Sequence, residues 1–250
     1  MKEFSSELGH NYNTYTFGYT NYCLRETQDK LSNIYERGYL PYSGSPDIKN
    51  AFYMARSVRV PLESFILSSE NRRIAKKFDG HFKGQIVPFS QFPSEDPAFI
   101  TFCTEYFAQR HGHNVMPESR LKSILEAEII TDIVVYKNEV NPVAYVFEVS
   151  DKDLTHFWFS FYDLSLVHQS LGFWLMLDSA HRAQERGAKY FYVGTLYGQK
   201  ALYKTAFQNL EYWDGRQWIT DLKKVKSLGR NDDSRTTNLT DLWKKDQKTF

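Results

Sequence analysis

Phe157 to Phe207 reads FWFSFYDLSLVHQSLGFWLMLDSAHRAQERGAKYFYVGTLYGQKALYKTAF, and its changes of period decide the fold. Phe157 to Tyr162 is an aromatic run too short for a helix and bounded by turn-forming residues, which predicts a well-covered strand. From Ser170 the spacing becomes helical. Ser170 is placed to N-cap a helix whose first turns are apolar nearly all round (Leu171, Phe173, Trp174, Leu175, Met176, Leu177). Its later turns carry a polar face (His181, Arg182, Gln184, Glu185, Arg186), and Gly187 stops it. Lys189 to Val193 is a second aromatic strand. A strand-helix-strand unit of this kind implies two parallel strands with the helix packed on them. Ligands of such units gather at strand C-termini and at the helix N-terminus. Asp163, Gln169, Ser170 and Gly194 to Tyr197 are therefore expected around one crevice.

The chain of 250 residues is 42% hydrophobic and 16% aromatic, enough to bury a large core. Its 31 Lys plus Arg against 30 Asp plus Glu exclude a general polycation, so any nucleic-acid contact must come from a local patch. Cys23 and Cys103 are the two cysteines, which argues against a disulfide framework and against a four-cysteine metal site. No leader-like apolar segment opens the chain, and no run of about 18 apolar residues suits a membrane span. The expectation is a cytoplasmic protein without membrane contact, monomeric, with no cofactor and no metal.

Working outward, Met1 to Thr16 is a polar arm or edge, and Cys23 to Tyr39 has helical spacing ended by Gly38. Ala51 to Leu62 reads as one strand interrupted by Arg56 and Arg59, whose guanidiniums face either solvent or a charged ligand. Ser68-Ser69-Glu70 opens a helix in which Arg72/Lys76 and Arg73/Lys77 lie four residues apart. That cluster is either a solvated face or a phosphate-binding one. Phe82 to Pro97, punctuated by Gly84, Pro88, Pro93 and Pro97, reads as a linker, with a domain boundary near Asp79 to Pro97. Ala98 to Arg110 is helical. His111 and His113 lack a third ligand at metal spacing.

Glu126 to Tyr136 and Pro142 to Val149 form a hairpin, and Asp214-Gly215 marks a second hairpin between aromatic residues. Residues 222 to 250 carry eight Lys or Arg and four Asp, a net charge of +4, and are expected to be mobile or to order only against a partner. Three parts are thus expected: residues 1–90 with the basic helix, residues 91–222 around the crevice, and the tail 223–250.

An antiparallel sheet ending in a parallel strand-helix-strand unit is the α/β (α+β) layout of the N-acetyltransferase-like (GNAT) acyltransferases. Their usual donor, an acyl-coenzyme A, has its pyrophosphate held by a glycine-rich loop. Asp163 to Gly172 contains one glycine. A closer resemblance lies in short motifs taken together. Phe161-Tyr162-Asp163, Ser170-Leu171-Gly172, Tyr192-Val193-Gly194, Tyr203-Lys204-Thr205-Ala206-Phe207 and Gly215-Arg216-Gln217-Trp218 resemble the C-terminal half of the arginyl-tRNA-protein transferase family, including its bacterial leucyl-transferring members. Arg59-Val60-Pro61 with Phe65, Ser68 to Arg73, and Arg110-His111-Gly112 with Met116 resemble its first half. The family's cysteine motifs are absent: Phe17-Gly18-Tyr19-Thr20 replaces the first, and Phe52 and Ala55 stand in the later cluster. An iron-sulfur or zinc site on those cysteines is not expected.

The resemblance implies transfer of an amino acid, Arg or Leu class, from aminoacyl-tRNA to the N-terminal α-amino group of a protein, often one beginning with Asp or Glu. It implies Asp163 as the group that binds or deprotonates the amine, with Gln169 or Ser170 at the oxyanion. Arg56, Arg59, Arg110 or Lys204 would pair with the acceptor carboxylate. Tyr192 and Tyr197 would stack on the terminal adenine, and Arg72, Arg73, Lys76 and Lys77 would hold tRNA phosphates. The alternatives are an acyl-coenzyme A-dependent N-acyltransferase and a non-catalytic relative that binds tRNA or N-terminal peptides.

Overall fold

The computed structural model describes residues 1–13, 16–45, 47–78, 80–112, 117–139 and 141–232. Two sheets divide the strands. A four-stranded sheet has the order β1-β2-β4-β3, from β1 (Lys2–Asn11), β2 (Thr16–Leu24), β3 (Tyr39–Pro41) and β4 (Ala51–Met54). The eight-stranded sheet takes in β5 (Ser57–Pro61), β6 (Gly84–Pro88), β7 (Asp132–Asn138), β8 (Asn141–Ser150), β9 (Leu154–Tyr162), β10 (Tyr190–Thr195), β11 (Glu211–Trp213) and β12 (Trp218–Ile219). Its order is β12-β11-β5-β10-β9-β8-β7-β6. The β9–β10 pair is parallel and lies mid-sheet, while the other pairings are antiparallel.

The period-2 alternation of side chains sends one set of residues to each face. Val134 and Tyr136 of β7, Val146 of β8, and Phe191 and Val193 of β10 meet α5 (Leu171–Glu185) and α2 (Ser69–Lys76) in one core. On the opposite face Ile133, Val135, Tyr145, Phe147 and Phe161 pack under α3 (Pro97–His111) and α4 (Glu118–Leu125). Further along that face, Val149, Leu154 and Tyr192 meet the small sheet and α1 (Leu31–Glu36). The two-faced burial explains why β8 and β9 read as near-continuous apolar runs. The fold is the GNAT-type α/β arrangement that the sequence pattern implied.

Several boundaries differ from the sequence expectation. The segment 51–62 is two strands in two sheets, because the chain turns at Ala55-Arg56. Residues 82–97 hold the edge strand β6, paired with β7, in place of an irregular linker. Since β5 and β6 belong to the large sheet, the division expected near residues 79 to 97 does not separate two sheets. The helix foreseen over residues 23–39 contracts to six residues, ended by Arg37 and by Gly38 at φ +80 under the Trp213 ring.

Ser68 caps α2 as expected, its Oγ accepting from the Asn71 N–H at 3.1 Å. Ser170 does not cap α5: it sits in the left-handed region (φ 70, ψ 33) and its side chain makes no cap bond. The tail is also ordered further than expected, since α6 (Leu222–Asn231) buries Val225 and lays Gly229 against Leu196 and Leu202. Residues 233–250 lie outside the described residues. Among the described residues no helix is long and apolar enough to cross a membrane.

Candidate functional site

The parallel pair at the centre of the sheet comes apart. β10 pairs with β9 from Tyr190 opposite Leu154 to Tyr192 opposite His156. Beyond that point β9 runs on to Tyr162 against β8, whereas β10 follows β5 to Thr195. The register of β10 on β5 shifts between Tyr192 and Gly194, and Gly194 takes φ +86, a backbone turn that L side chains rarely adopt. A wedge therefore opens between Phe157–Tyr162 and Gly194–Thr195.

Lys204 fills the apex of this wedge. It comes from the 3-10 helix Gln199–Ala206, which follows β10, and its Nζ donates to the Thr195 carbonyl at 2.7 Å. A Cβ placed on Gly194 would lie 3.3 Å from Lys204 Nζ and 3.8 Å from His156 Nε2, so both nitrogens converge on that glycine, within about 7 Å of each other. Lys204 as a residue is partly buried and its amine is enclosed, and burial lowers its pKa from 10.5 to about 8. Among the described residues no carboxylate pairs with it. His156 is 2% exposed, and its Nδ1 lies 2.9 Å from the Tyr35 hydroxyl. Its Nε2 is buried without a partner. Burial, with the Lys204 charge behind it, lowers the imidazole pKa to about 3, so the ring is neutral at physiological pH. When Tyr35 donates to Nδ1, Nε2 carries a hydrogen aimed at the Gly194 region.

The mouth of the wedge lies at the other end of β9. Asp163 is seven residues past His156, about 20 Å along an extended strand. Its Oδ1 accepts from the Ser165 N–H at 2.8 Å and its carbonyl from the Leu166 N–H, as a turn aspartate does. Leu164–Gln169 then forms a 3-10 helix where a coenzyme A enzyme of this fold would place its glycine loop. Gly172 is pressed against Tyr162, whose hydroxyl would lie 2.6 Å from an added Cβ. Tyr203 is exposed and packs its ring edge-on against Phe173, near Tyr162 and Arg110. Arg110 is exposed near the end of α3 and so adds positive charge at the mouth.

The remaining expected residues divide into engaged and exposed ones. Arg59 is buried and not open to a ligand. It binds Glu36 and Glu211 at 2.9 and 2.7 Å, and its guanidinium lies between the Tyr190 and Trp218 rings at 3.8 and 4.0 Å from their centroids. Tyr192 is core: it is 1% exposed, packs on Tyr35 and accepts from Arg59, so it has no face for an adenine. Tyr197 is half exposed; its hydroxyl accepts from the Arg56 N–H and its ring covers the Arg56 guanidinium at 4.6 Å. Arg56 holds a carboxylate of its own chain, Asp232. Arg72, Arg73, Lys76 and Lys77 are all exposed on α2, with Arg73 paired to Glu70 and Arg72 donating to the Leu67 carbonyl. The side chain of Gln169 and all of His113 and Met116 lie outside the described residues. Sequence reasoning missed His156 and Tyr35. The signal available was one histidine at an inward position of a largely apolar strand, which by itself fits a core residue as well.

Residues 94–205 match the family of the acetyltransferase (GNAT) domain. Over 136 residues, 51% of this chain and 49% of the relative, the sequence is 30% identical to the aspartate/glutamate leucyltransferase of Ruegeria sp. (strain TM1040). Over 180 residues, 65% of this chain and 71% of the relative, it is 28% identical to the aspartate/glutamate leucyltransferase of Methylorubrum extorquens (strain PA1). The match thus spans about half the length of the first of these relatives. The crystal structure of FemX is similar with a TM-score of 0.39 at 10% identity, covering 66% of this chain and 59% of that one.

Proposed function

We propose that this chain transfers an aminoacyl group from aminoacyl-tRNA to the N-terminal α-amino group of an acceptor protein. The observation that carries this reading is the wedge between β9 and β10 with an enclosed amine at its apex and no glycine cradle at its mouth. A GNAT-type wedge is shaped for acyl transfer, and the 3-10 helix Leu164–Gln169 replaces the phosphate loop that coenzyme A requires. Similarity to leucyltransferases supports an aminoacyl ester as the donor.

The ester is already activated, so the protein has to align, take up a proton and steady charge. The acceptor ammonium first gives one proton to solvent; the neutral nitrogen then forms a bond to the ester carbonyl carbon, the bond to the ribose oxygen breaks, and a second nitrogen proton ends on that leaving oxygen. Lys204, with its pKa near 8, is present as both ammonium and amine near neutral pH. As ammonium it donates to the carbonyl oxygen; as amine it accepts the proton. His156, neutral and fixed by Tyr35, offers Nε2 to the same oxygen. At the mouth, Arg110 and the exposed Tyr203 ring suit the last phosphate and base of the donor, and the α2 cations suit phosphates further along.

Incubation with radiolabelled aminoacyl-tRNAs, or with labelled acetyl-coenzyme A, and peptides with free N-termini tests the reading. Label passing from the tRNA to the peptide is expected. Label passing from the coenzyme alone would establish the second reading, an acyl-coenzyme A-dependent N-acyltransferase, which the GNAT match by itself favours.

A further inference from the structure

Beside the loop whose Thr195 carbonyl holds the Lys204 amine, the Arg56 guanidinium binds a carboxylate that belongs to the chain itself. Arg56 lies where the chain passes from β4 to β5. Its Nη1 donates to Asp232 Oδ2 at 2.8 Å and Oδ1 at 3.0 Å, and its Nη2 donates to Oδ1 at 3.1 Å. The Gly198 N–H adds a fourth hydrogen bond, to Oδ2 at 2.8 Å. Tyr197 covers the guanidinium from above, and the Leu196 carbonyl takes a further Nη1 bond at 3.1 Å. Both partners are well enclosed, at 10% and 14% side-chain exposure.

Three features set this pair apart from a simple staple. First, the receptor is built from Leu196, Tyr197 and Gly198, the residues directly after Thr195, whose carbonyl holds the Lys204 amine. Carboxylate receptor and amine thus hang from adjacent residues of one loop. Second, enclosing an ion pair is a poor way to gain stability, because desolvation offsets most of the attraction. Third, Asp232 rides on a lightly held element. α6 is ten residues long, buries Val225 and Gly229, and points Lys223, Lys224 and Arg230 outward. A helix of that length has little stability of its own and depends on its docking.

Resting on the aminoacyl-transfer reading, we propose that Arg56, the Gly198 N–H and the Tyr197 ring form the receptor for the side-chain carboxylate of an acceptor beginning with Asp or Glu, and that Asp232 occupies it as an internal stand-in. An acceptor must then displace Asp232, and the C-terminal helix with it, before its α-amine can come to the Lys204 end of the wedge.

Calorimetric titration of the full chain with peptides that begin Asp-Ala or Asn-Ala and are otherwise identical tests this without any tRNA. In Asp232→Asn the neutral amide no longer competes, so the Asp peptide is expected to bind at least about 10-fold tighter than to the parent, while the Asn peptide changes little. Arg56→Lys, which keeps the charge but loses the two-pronged geometry, should erase most of the preference for Asp. Equal binding of the two peptides by Asp232→Asn, no binding of either peptide by any form, or an undiminished preference in Arg56→Lys would each overturn the proposal. So would an Asp232→Asn protein that only melts at a lower temperature, which would make the pair a staple for α6. Binding that follows this pattern in a protein that transfers no label from any aminoacyl-tRNA would sink the transfer reading and leave the receptor standing.

Discussion

Lys204→Met gives a stability effect whose pH dependence follows from the enclosed amine. The folded protein holds the Lys204 proton with a pKa of about 8, against 10.5 for a solvated lysine. The unfolded chain therefore binds that proton more tightly than the folded one, and charging the amine costs stability. The sign follows: the cost is fully present below about pH 8 and disappears as pH rises through 10.5. A gap of about 2.5 pH units corresponds to about 3.4 kcal/mol at the low-pH limit, at about 1.36 kcal/mol per unit. Between pH 7 and pH 9.5 the linkage relation leaves a change of about 2 kcal/mol. Methionine removes the charge and the bond to the Thr195 carbonyl, a pH-independent loss of about 1 kcal/mol that shifts the whole difference curve without tilting it. Urea unfolding of parent and variant at half-unit steps from pH 7 to 9.5 supplies the difference. The parent should gain about 2 kcal/mol on the variant over that range. A difference constant within about 0.5 kcal/mol would show a solvated amine and remove Lys204 from the apex of the wedge.

Other substitutions probe separate parts of the molecule. Replacing Arg72, Arg73, Lys76 and Lys77 together by Glu should leave a cooperatively melting protein, because these residues are exposed while Asn71 and Ile74 hold α2 to the core. Binding of full-length tRNA should weaken, with the log-log salt slope flattening by up to about 0.9 for each phosphate that the helix no longer neutralises; an unchanged affinity and slope would make the helix a solvated face. Gly38→Ala places a methyl 2.4 Å from the Trp213 ring at a φ of +80 and should cost about 2 to 4 kcal/mol of unfolding free energy, with little loss meaning that the indole moves aside freely. Asp163→Asn keeps the Oδ1 acceptor that the Ser165 N–H uses, so transfer rates near the parent's are expected; loss of most transfer at unchanged melting temperature would return to Asp163 the task of holding the amine.

What could be read from the sequence was what period carries. The aromatic run of β9, the helical spacing after Ser170 and the second strand through Val193 placed the parallel pair and α5, because a two-faced sheet imposes continuous apolar strands. Asp214-Gly215 placed the last hairpin through its turn chemistry: Asp214 Oδ1 accepts from the Arg216 and Gln217 N–H groups. Side-chain partners were not legible in the same way. Arg56 and Arg59 looked alike in an apolar strand, yet the break at Ala55 sends one to the Gly198 loop and the other between two rings. The Arg56–Asp232 bond joins residues 176 apart, and the tail's composition gave no hint of a helix docked through Val225 and Gly229. His156 and Lys204 meet because β10 leaves β9 after Tyr192, and that departure depends on register and on the conformation of Gly194. No spacing along the chain records it.

Mass spectrometry of a defined acceptor tests the central claim most directly. A peptide beginning with Asp is incubated with the protein and a mixture of aminoacyl-tRNAs, alongside the same peptide acetylated at its α-amine and a parallel reaction supplied with acyl-coenzyme A. The wedge with Lys204 at its apex predicts that the free peptide gains the mass of one amino acid residue, attached at its N-terminus by fragmentation, and that the blocked peptide gains nothing. A product carrying the acyl group of the coenzyme, or an unmodified peptide with every charged tRNA supplied, would contradict it.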